Sequence, residues 1–201
     1  MACVTSIDLR VALAPEATYR TLVERPAPTS WRCVCSRPLL TLIVLAVCLP
    51  LSATHTVTLK LITLTAVGWS FVLVVQFGLA MFTVGAARGR SVSLTRALEL
   101  WFLGHVPYTA WLLVVPVLSV TGAWMQPLLG LTFVVPVVWS TLVETAYCRA
   151  VLHSTPADAR RRVALHQALM LAIVVAMVLW AVGGPNNLVA FGSRMAVRLR
   201  G

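Results

Sequence analysis

Apolar positions in this 201-residue chain fall into five long runs separated by short polar stretches. The runs extend from Pro38 to about Thr54, Val57 to about Ala87, Leu98 to about Val120, Trp124 to about Cys148, and Val163 to about Val182. A helix needs roughly 20 apolar residues to cross a hydrocarbon layer about 30 Å thick. The first run is short for a span, and the other four are long enough. Backbone in lipid must satisfy its own hydrogen bonds, so runs of this length predict helices. The expected fold is all-α: a polytopic transmembrane bundle of about five spans. Residues 1–37 read as an amino-terminal arm, 38–185 as the five-helix domain, and 186–201 as a tail or short interfacial helix. Gly183-Gly184-Pro185 is a helix stop at the end of the last run.

Composition agrees with the pattern. Apolar residues make up 59% of the chain and charged residues 11%, with a mean hydropathy of +0.89. Soluble domains carry about 45–50% apolar and about 25% charged residues. Lipid is therefore expected to solvate much of the surface. The net charge of +10 does not point to nucleic acid, because the basic residues lie between the apolar runs. Basic loops on the cytoplasmic side are the normal signal of orientation. If the amino terminus is inside, Arg10, Arg20, Arg25, Arg32 and Arg37 lie in the cytoplasm. So do Arg88, Arg90 and Arg96, and Arg149, Arg160, Arg161 and Arg162. Only Lys60, Arg194, Arg198 and Arg200 then fall outside. The prediction is an inside amino terminus and an outside carboxyl terminus. The basic face would also attract anionic lipid headgroups. The near-exclusive use of Arg over Lys suggests a GC-rich bacterial genome, and with it a bacterial cytoplasmic (inner) membrane.

The cysteines carry little chemistry. Cys33 and Cys35 form a C-x-C, which is neither the redox nor the zinc spacing. Two thiols fill only half of a tetrahedral shell. Cys48 lies within an apolar run, and Cys3 and Cys148 complete the set without a disulfide framework. The first run resembles a signal peptide, but Leu51 is a poor cleavage-site residue and the preceding arm is long. It reads as an uncleaved helix. In the arm, Leu9, Leu13, Leu22 and Val23 suggest a short amphipathic helix that Pro15 interrupts.

Ionisable groups at membrane depth are functional candidates. Glu99 opens the third span, Glu144 nears the end of the fourth, and His166 opens the fifth. Alternating spans place all three near the cytoplasmic interface with Arg149, as a candidate polar cluster. Such a cluster suits a proton, a cation or a small metal site, or else ion pairs that dock helices. His105, near Pro107 and Tyr108, and Gln76, at mid-depth in the second span, are candidate buried polar residues. Prolines at 107, 116, 127 and 136 bend or break the third and fourth spans. No di-iron Glu-x-x-His pair and no His-Glu-x-x-His stretch occurs in the chain.

Gly85, Gly89, Ser91 and Ser93 form a polar link, followed by Gly104-x-x-Pro107 in the third span. Trp139 lies in the fourth span, ahead of a basic loop and a last span. Over residues 38–183 this layout resembles the small prokaryotic members of the Yip1 family of multispanning membrane proteins. The resemblance implies five spans with the amino terminus inside and the carboxyl terminus outside. Eukaryotic members of that family are linked to vesicle traffic and small GTPases, and this arm matches no motif for that role.

The expected function is a non-enzymatic integral membrane protein: a scaffold, an assembly factor or an accessory subunit of a membrane complex. Arg160, Arg161 and Arg162 are its candidate contact or lipid-binding residues, and a membrane-protein partner is expected. No cofactor, catalytic residue or resident metal is expected. The alternative is a small transporter built on the proline-bent helices and the Glu/His cluster, although no inverted repeat is evident. An intramembrane enzyme ranks third, because no nucleophile and base stand at a recognisable spacing.

Overall fold

The computed structural model describes residues 2–25, 30–85, 92–120 and 132–181. The expectations for Arg88 and Arg90, for Trp124 and Pro127, for the Gly183–Pro185 stop and for the tail with Arg194, Arg198 and Arg200 lie outside these residues. The chain divides into two compact units, Met1–Val163 and Ala164–Gly201.

All regular structure among the described residues is helical. The helices are α1 (Ala2–Leu13), α2 (Pro15–Glu24), α3 (Trp31–Thr54), α4 (Leu59–Gly85), α5 (Leu94–Leu103), α6 (Val106–Val120), α7 (Val134–Ala150) and α8 (Pro156–Ala181). Three segments are long and apolar enough to cross a membrane: Trp31–Ser52, Leu59–Gly85 and Leu94–Pro116. The last comprises α5 and most of α6. The 17 described residues of α7 rise about 25 Å, short of a hydrocarbon layer about 30 Å thick. Helix α8 passes from the first unit into the second, and its apolar stretch begins beyond Arg160–Arg162. In the second unit it runs from Ala164 to Ala181, with Leu165, Leu169, Leu171 and Val175 exposed.

Local chemistry explains the breaks. Pro15 opens α2 at its first turn, where a missing N–H costs nothing, and the arm becomes two helices. Helix α3 begins at Trp31 and so includes residues assigned to the arm from the sequence. It continues through Pro38 and Pro50. The Ser93 hydroxyl accepts the Arg96 N–H at 3.3 Å and caps α5. Thr155 accepts the Asp158 N–H at 3.2 Å, and its hydroxyl donates to the Asp158 carboxylate at 2.8 Å, opening α8. His55, which follows α3, and His153, which follows α7, adopt left-handed backbone with φ of 56° and 48°.

The third span breaks at Gly104–His105 for a stated reason. Pro107 has no N–H to give the Leu103 carbonyl and cannot continue the α pattern. The Gly104 and His105 N–H groups turn back three residues instead, to Trp101 and Phe102 at 2.9 and 3.3 Å. The α pattern resumes when the Thr109 N–H reaches the His105 carbonyl at 3.1 Å.

Within the first unit, α3 packs against α4, α5 and α6; α2 packs against α7; and α6 packs against α7. The buried core lies at one end of these helices. It joins Val11 and Tyr19 of the arm, Val34 at the start of α3, Val84 at the end of α4, most of α5, and Val143–Leu152 around the end of α7. Away from this core the helices present large apolar side chains outward, among them Ile43, Leu64, Val67, Val74, Leu113 and Leu142. Apolar surface on this scale belongs in lipid.

Candidate functional site: a polar cluster beneath the arm

The arm is a docked element. Trp139 of α7 donates its indole N–H to the Ala12 carbonyl at 2.9 Å. Arg37 of α3 pairs with Asp8 at 2.5 Å, and Arg149 of α7 with Glu16 at 3.1 Å. Arg96 of α5 donates to the Leu22 carbonyl at 3.1 Å. That carbonyl lies in the last turn of α2, where helix carbonyls lack partners and a cation is favoured. Arg162 does the same for α4, donating to the Thr83 carbonyl at 3.4 Å. These contacts bring the arm, the start of α3, the end of α4, the start of α5, the end of α7 and the start of α8 to one face. Arg37, Arg96, Arg149 and Arg162 all belong to the group that the charge pattern assigned to the cytoplasm.

Tyr19 is the arm's anchor. It is fully buried and stands edge-on to Tyr147 of α7, ring centroids 5.5 Å apart. Tyr147 stands edge-on to Trp101 of α5 at 5.2 Å and donates to the Ala97 carbonyl at 2.8 Å. This bond and two aromatic contacts hold α2, α5 and α7 together.

Helix α7 presents its interior as a stripe of Pro136, Ser140, Val143, Glu144 and Tyr147, at helical spacing. Glu144 is therefore an inward residue, only 1% exposed. It lies against the break in the third span, where Gly104 makes room. A β-carbon on Gly104 would come 3.3 Å from Glu144 Cγ, 3.1 Å from the Trp101 carbonyl and 3.8 Å from the Tyr19 hydroxyl. His105, at the same break, is 9% exposed. A ring nitrogen of His105 and a carboxylate oxygen of Glu144 lie within 4.8 Å of each other. The His105 ring also contacts Phe102 and Tyr108, with centroids at 5.6 and 6.4 Å.

Tyr19 Oη is buried and has no hydrogen-bond partner among the described residues. Burial, and then the negative charge of Glu144, push its pKa well above the usual 10.0. Tyr19 enters the site as a neutral phenol.

Two of the residues expected to cluster have ion-pair partners outside the expected set. Glu99 is bound by Arg96 at 2.6 Å, and Arg149 is on Glu16. Glu144 is joined at this site by His105, which the sequence reading had placed apart from it. His166 belongs to the second unit and its side chain is buried. Gln76 is half-buried on α4. Arg160 and Arg161 are exposed, and Arg162 is half-buried on α4's last turn. Sequence reasoning missed Tyr19 and Ser140. For Tyr19 a signal existed: with Leu22 and Val23 it forms an i, i+3, i+4 stripe on α2.

A buried carboxylate, imidazole and phenol can hold or pass a proton, or ligate a cation. No family model matches the chain, and no curated protein or solved structure is similar enough to match it.

Proposed function

We propose that the chain is a five-span membrane protein that acts through contact, as an accessory or scaffold subunit of a membrane complex, with its arm and basic face in the cytoplasm. One observation carries this reading: the arm is folded onto the bundle by side chains from α3, α5 and α7. It covers the ionisable interior, and Arg160 and Arg161 remain exposed. Four arginines of this face serve internal pairs or helix ends, so the exposed ones are free to meet a partner or anionic headgroups. The five-span topology is supported by the gathering of basic helix ends on one face, and by the layout shared with the small prokaryotic Yip1-like proteins.

Two experiments test the reading. Cys33 is exposed at the start of α3, on the basic face. In a chain whose other cysteines are replaced by serine, a membrane-impermeant maleimide should label it only from the cytoplasmic side. Labelling from the opposite side reverses the orientation. Arg160→Glu with Arg161→Glu should release a co-purifying membrane partner while the arm stays docked. Retention of the partner removes this loop from the interface.

A second reading, a small transporter, is favoured by one observation: the broken third span lies against Glu144 and His105. Broken helices frame many transport sites. Glu144→Gln should abolish proton- or cation-coupled flux in proteoliposomes, and unchanged flux excludes this reading.

A further inference from the structure

We propose that α1 is an interfacial helix whose outer stripe, Leu9 and Leu13, seats in the acyl region of the cytoplasmic leaflet, with Arg10 among anionic headgroups. The inference rests on the membrane-spanning reading above and names the partner of one face of the arm.

The first support is the stripe itself. Leu9 and Leu13 are four residues apart and share a helix face, and they are 60% and 71% exposed. Val11 and Ala12 turn the other way and are buried. Helix α1 therefore hides one apolar face in protein and presents a second one outward.

The second support is position along the bundle. The Trp139 indole fixes the Ala12 carbonyl to α7. Trp139 precedes Arg149 by ten residues on that helix, about 15 Å from its basic end. Val135, Val138 and Leu142 flank Trp139 on the outer side of α7, and each is more than half exposed. Apolar surface of this kind belongs in lipid, and Leu13 continues it. Helix α3 gives the same level. Asp8 is held by Arg37, six residues further along α3 than Trp31, or about 9 Å. Trp31 is an exposed tryptophan, of the kind that marks a membrane interface.

The third support is the backbone at the turn from α1 to α2. Carbonyls at the end of a helix lack partners within it. Here the Arg10 carbonyl accepts the Ala14 N–H at 2.8 Å, and the Ala12 carbonyl accepts the Trp139 indole N–H. The Ala14 carbonyl accepts the Thr18 N–H at 3.1 Å and the Thr18 hydroxyl at 2.7 Å. Pro15 brings no N–H to the turn. Water would supply such partners to an exposed turn, and lipid cannot.

Charge selects the leaflet. Arg10 is exposed beside the stripe, and its apolar stem lets the guanidinium reach headgroup phosphates from below. A protein partner on this stripe would also have to cover Val135, Val138 and Leu142, which the bilayer covers already.

The test uses the full chain in nanodiscs of phosphatidylcholine and phosphatidylglycerol. Its native cysteines are replaced by alanine, and a bimane label is placed in turn at Leu9→Cys, Leu13→Cys, Glu24→Cys and Leu64→Cys. Glu24 is exposed at the end of α2, and Leu64 is exposed on the spanning helix α4. At 9 and 13, quenching by a shallow nitroxide lipid should exceed quenching by aqueous iodide at least twofold, as at 64, with the reverse at 24. Stronger iodide quenching at 9 and 13 overturns the proposal, because the stripe then faces water. Protection from both quenchers also overturns it, because a protein or a second copy then covers the stripe. Lipid quenching at 64 without 9 and 13 defeats this inference alone, whereas its loss at 64 as well defeats the membrane-spanning reading. Omitting phosphatidylglycerol should weaken the lipid quenching at 13, and Arg10→Gln should do the same in its presence. No change in either overturns the headgroup contact.

Discussion

Tyr19 of the arm stands edge-on to Tyr147 of α7, ring centroids 5.5 Å apart and planes at 82°. An edge-to-face pair of this kind contributes about 0.5–1.5 kcal/mol beyond burial. It links a short amphipathic helix to the interior of a membrane bundle. The contact turns a basic leader into a structural layer, and the electrostatics of the region follow from it.

Truncation of this anchor should release the arm. Tyr19→Ala is expected to cost about 3–5 kcal/mol, as for other buried aromatic deletions. The loss should be local: amide hydrogen exchange in α1 and α2 rises to that of a free peptide, while α4 and α5 stay protected. Uniform loss of protection across all helices would contradict the docked-arm description.

Gly104 and Gly68 should respond oppositely to alanine. A β-carbon at Gly104 meets the Trp101 carbonyl at 3.1 Å and Glu144 Cγ at 3.3 Å, so Gly104→Ala forces apart the break and α7. Overpacking of this sort costs about 1–3 kcal/mol. At Gly68, inside α4, nothing lies within 4 Å of the added carbon. Gly68→Ala should be neutral, or stabilising by up to about 1 kcal/mol through helix propensity. Thermal unfolding of both variants in the same detergent checks the contrast.

Two of the three arginines that reach the arm should differ in weight. Arg96 is 15% exposed, pairs with Glu99 and also closes the end of α2. Hydrogen bonds made by a charged group like this contribute about 1.5–3 kcal/mol. Arg149 and Glu16 are 43% and 33% exposed, and a pair that open to water contributes about 0–1 kcal/mol. Arg96→Met should therefore loosen the arm in proteolysis, and Arg149→Met should leave it nearly unchanged.

Alkaline pH should detach the arm. The Tyr19 phenol ionises well above 10.0 in the docked state because of burial and the Glu144 charge, whereas an exposed tyrosine ionises near 10. The folded protein therefore holds its proton more tightly than the unfolded chain. Its contribution is complete below pH 10 and declines as pH rises beyond it. Titration of tyrosinate absorbance should show one late-ionising tyrosine that is missing in Tyr19→Phe.

The sequence conveys the helical layout because a membrane writes it in long apolar runs, and the break in the third span because Pro107 removes a donor. Glu99 and Arg96 were also readable as a pair, since residues three apart share a helix face. The separate fate of Glu144 was not. Both glutamates stand at similar depth in the pattern, and only packing shows that one faces a guanidinium and the other a glycine-lined break. The arm's docking was illegible for a related reason. Tyr19 lies among polar neighbours, and its burial depends on Tyr147 and Trp101, far along the chain.

That separation has a consequence for synthesis. The bond from Trp139 to Ala12 joins residues 127 positions apart. At about 5–20 residues per second, the arm emerges roughly 6–25 seconds before α7 can receive it. For that interval it lacks its seat on α7, and only its contacts to α3 and α5, such as Arg37 with Asp8 and Arg96 with the Leu22 carbonyl, can form. A late-closing part of the core therefore contains the first part of this chain to be made.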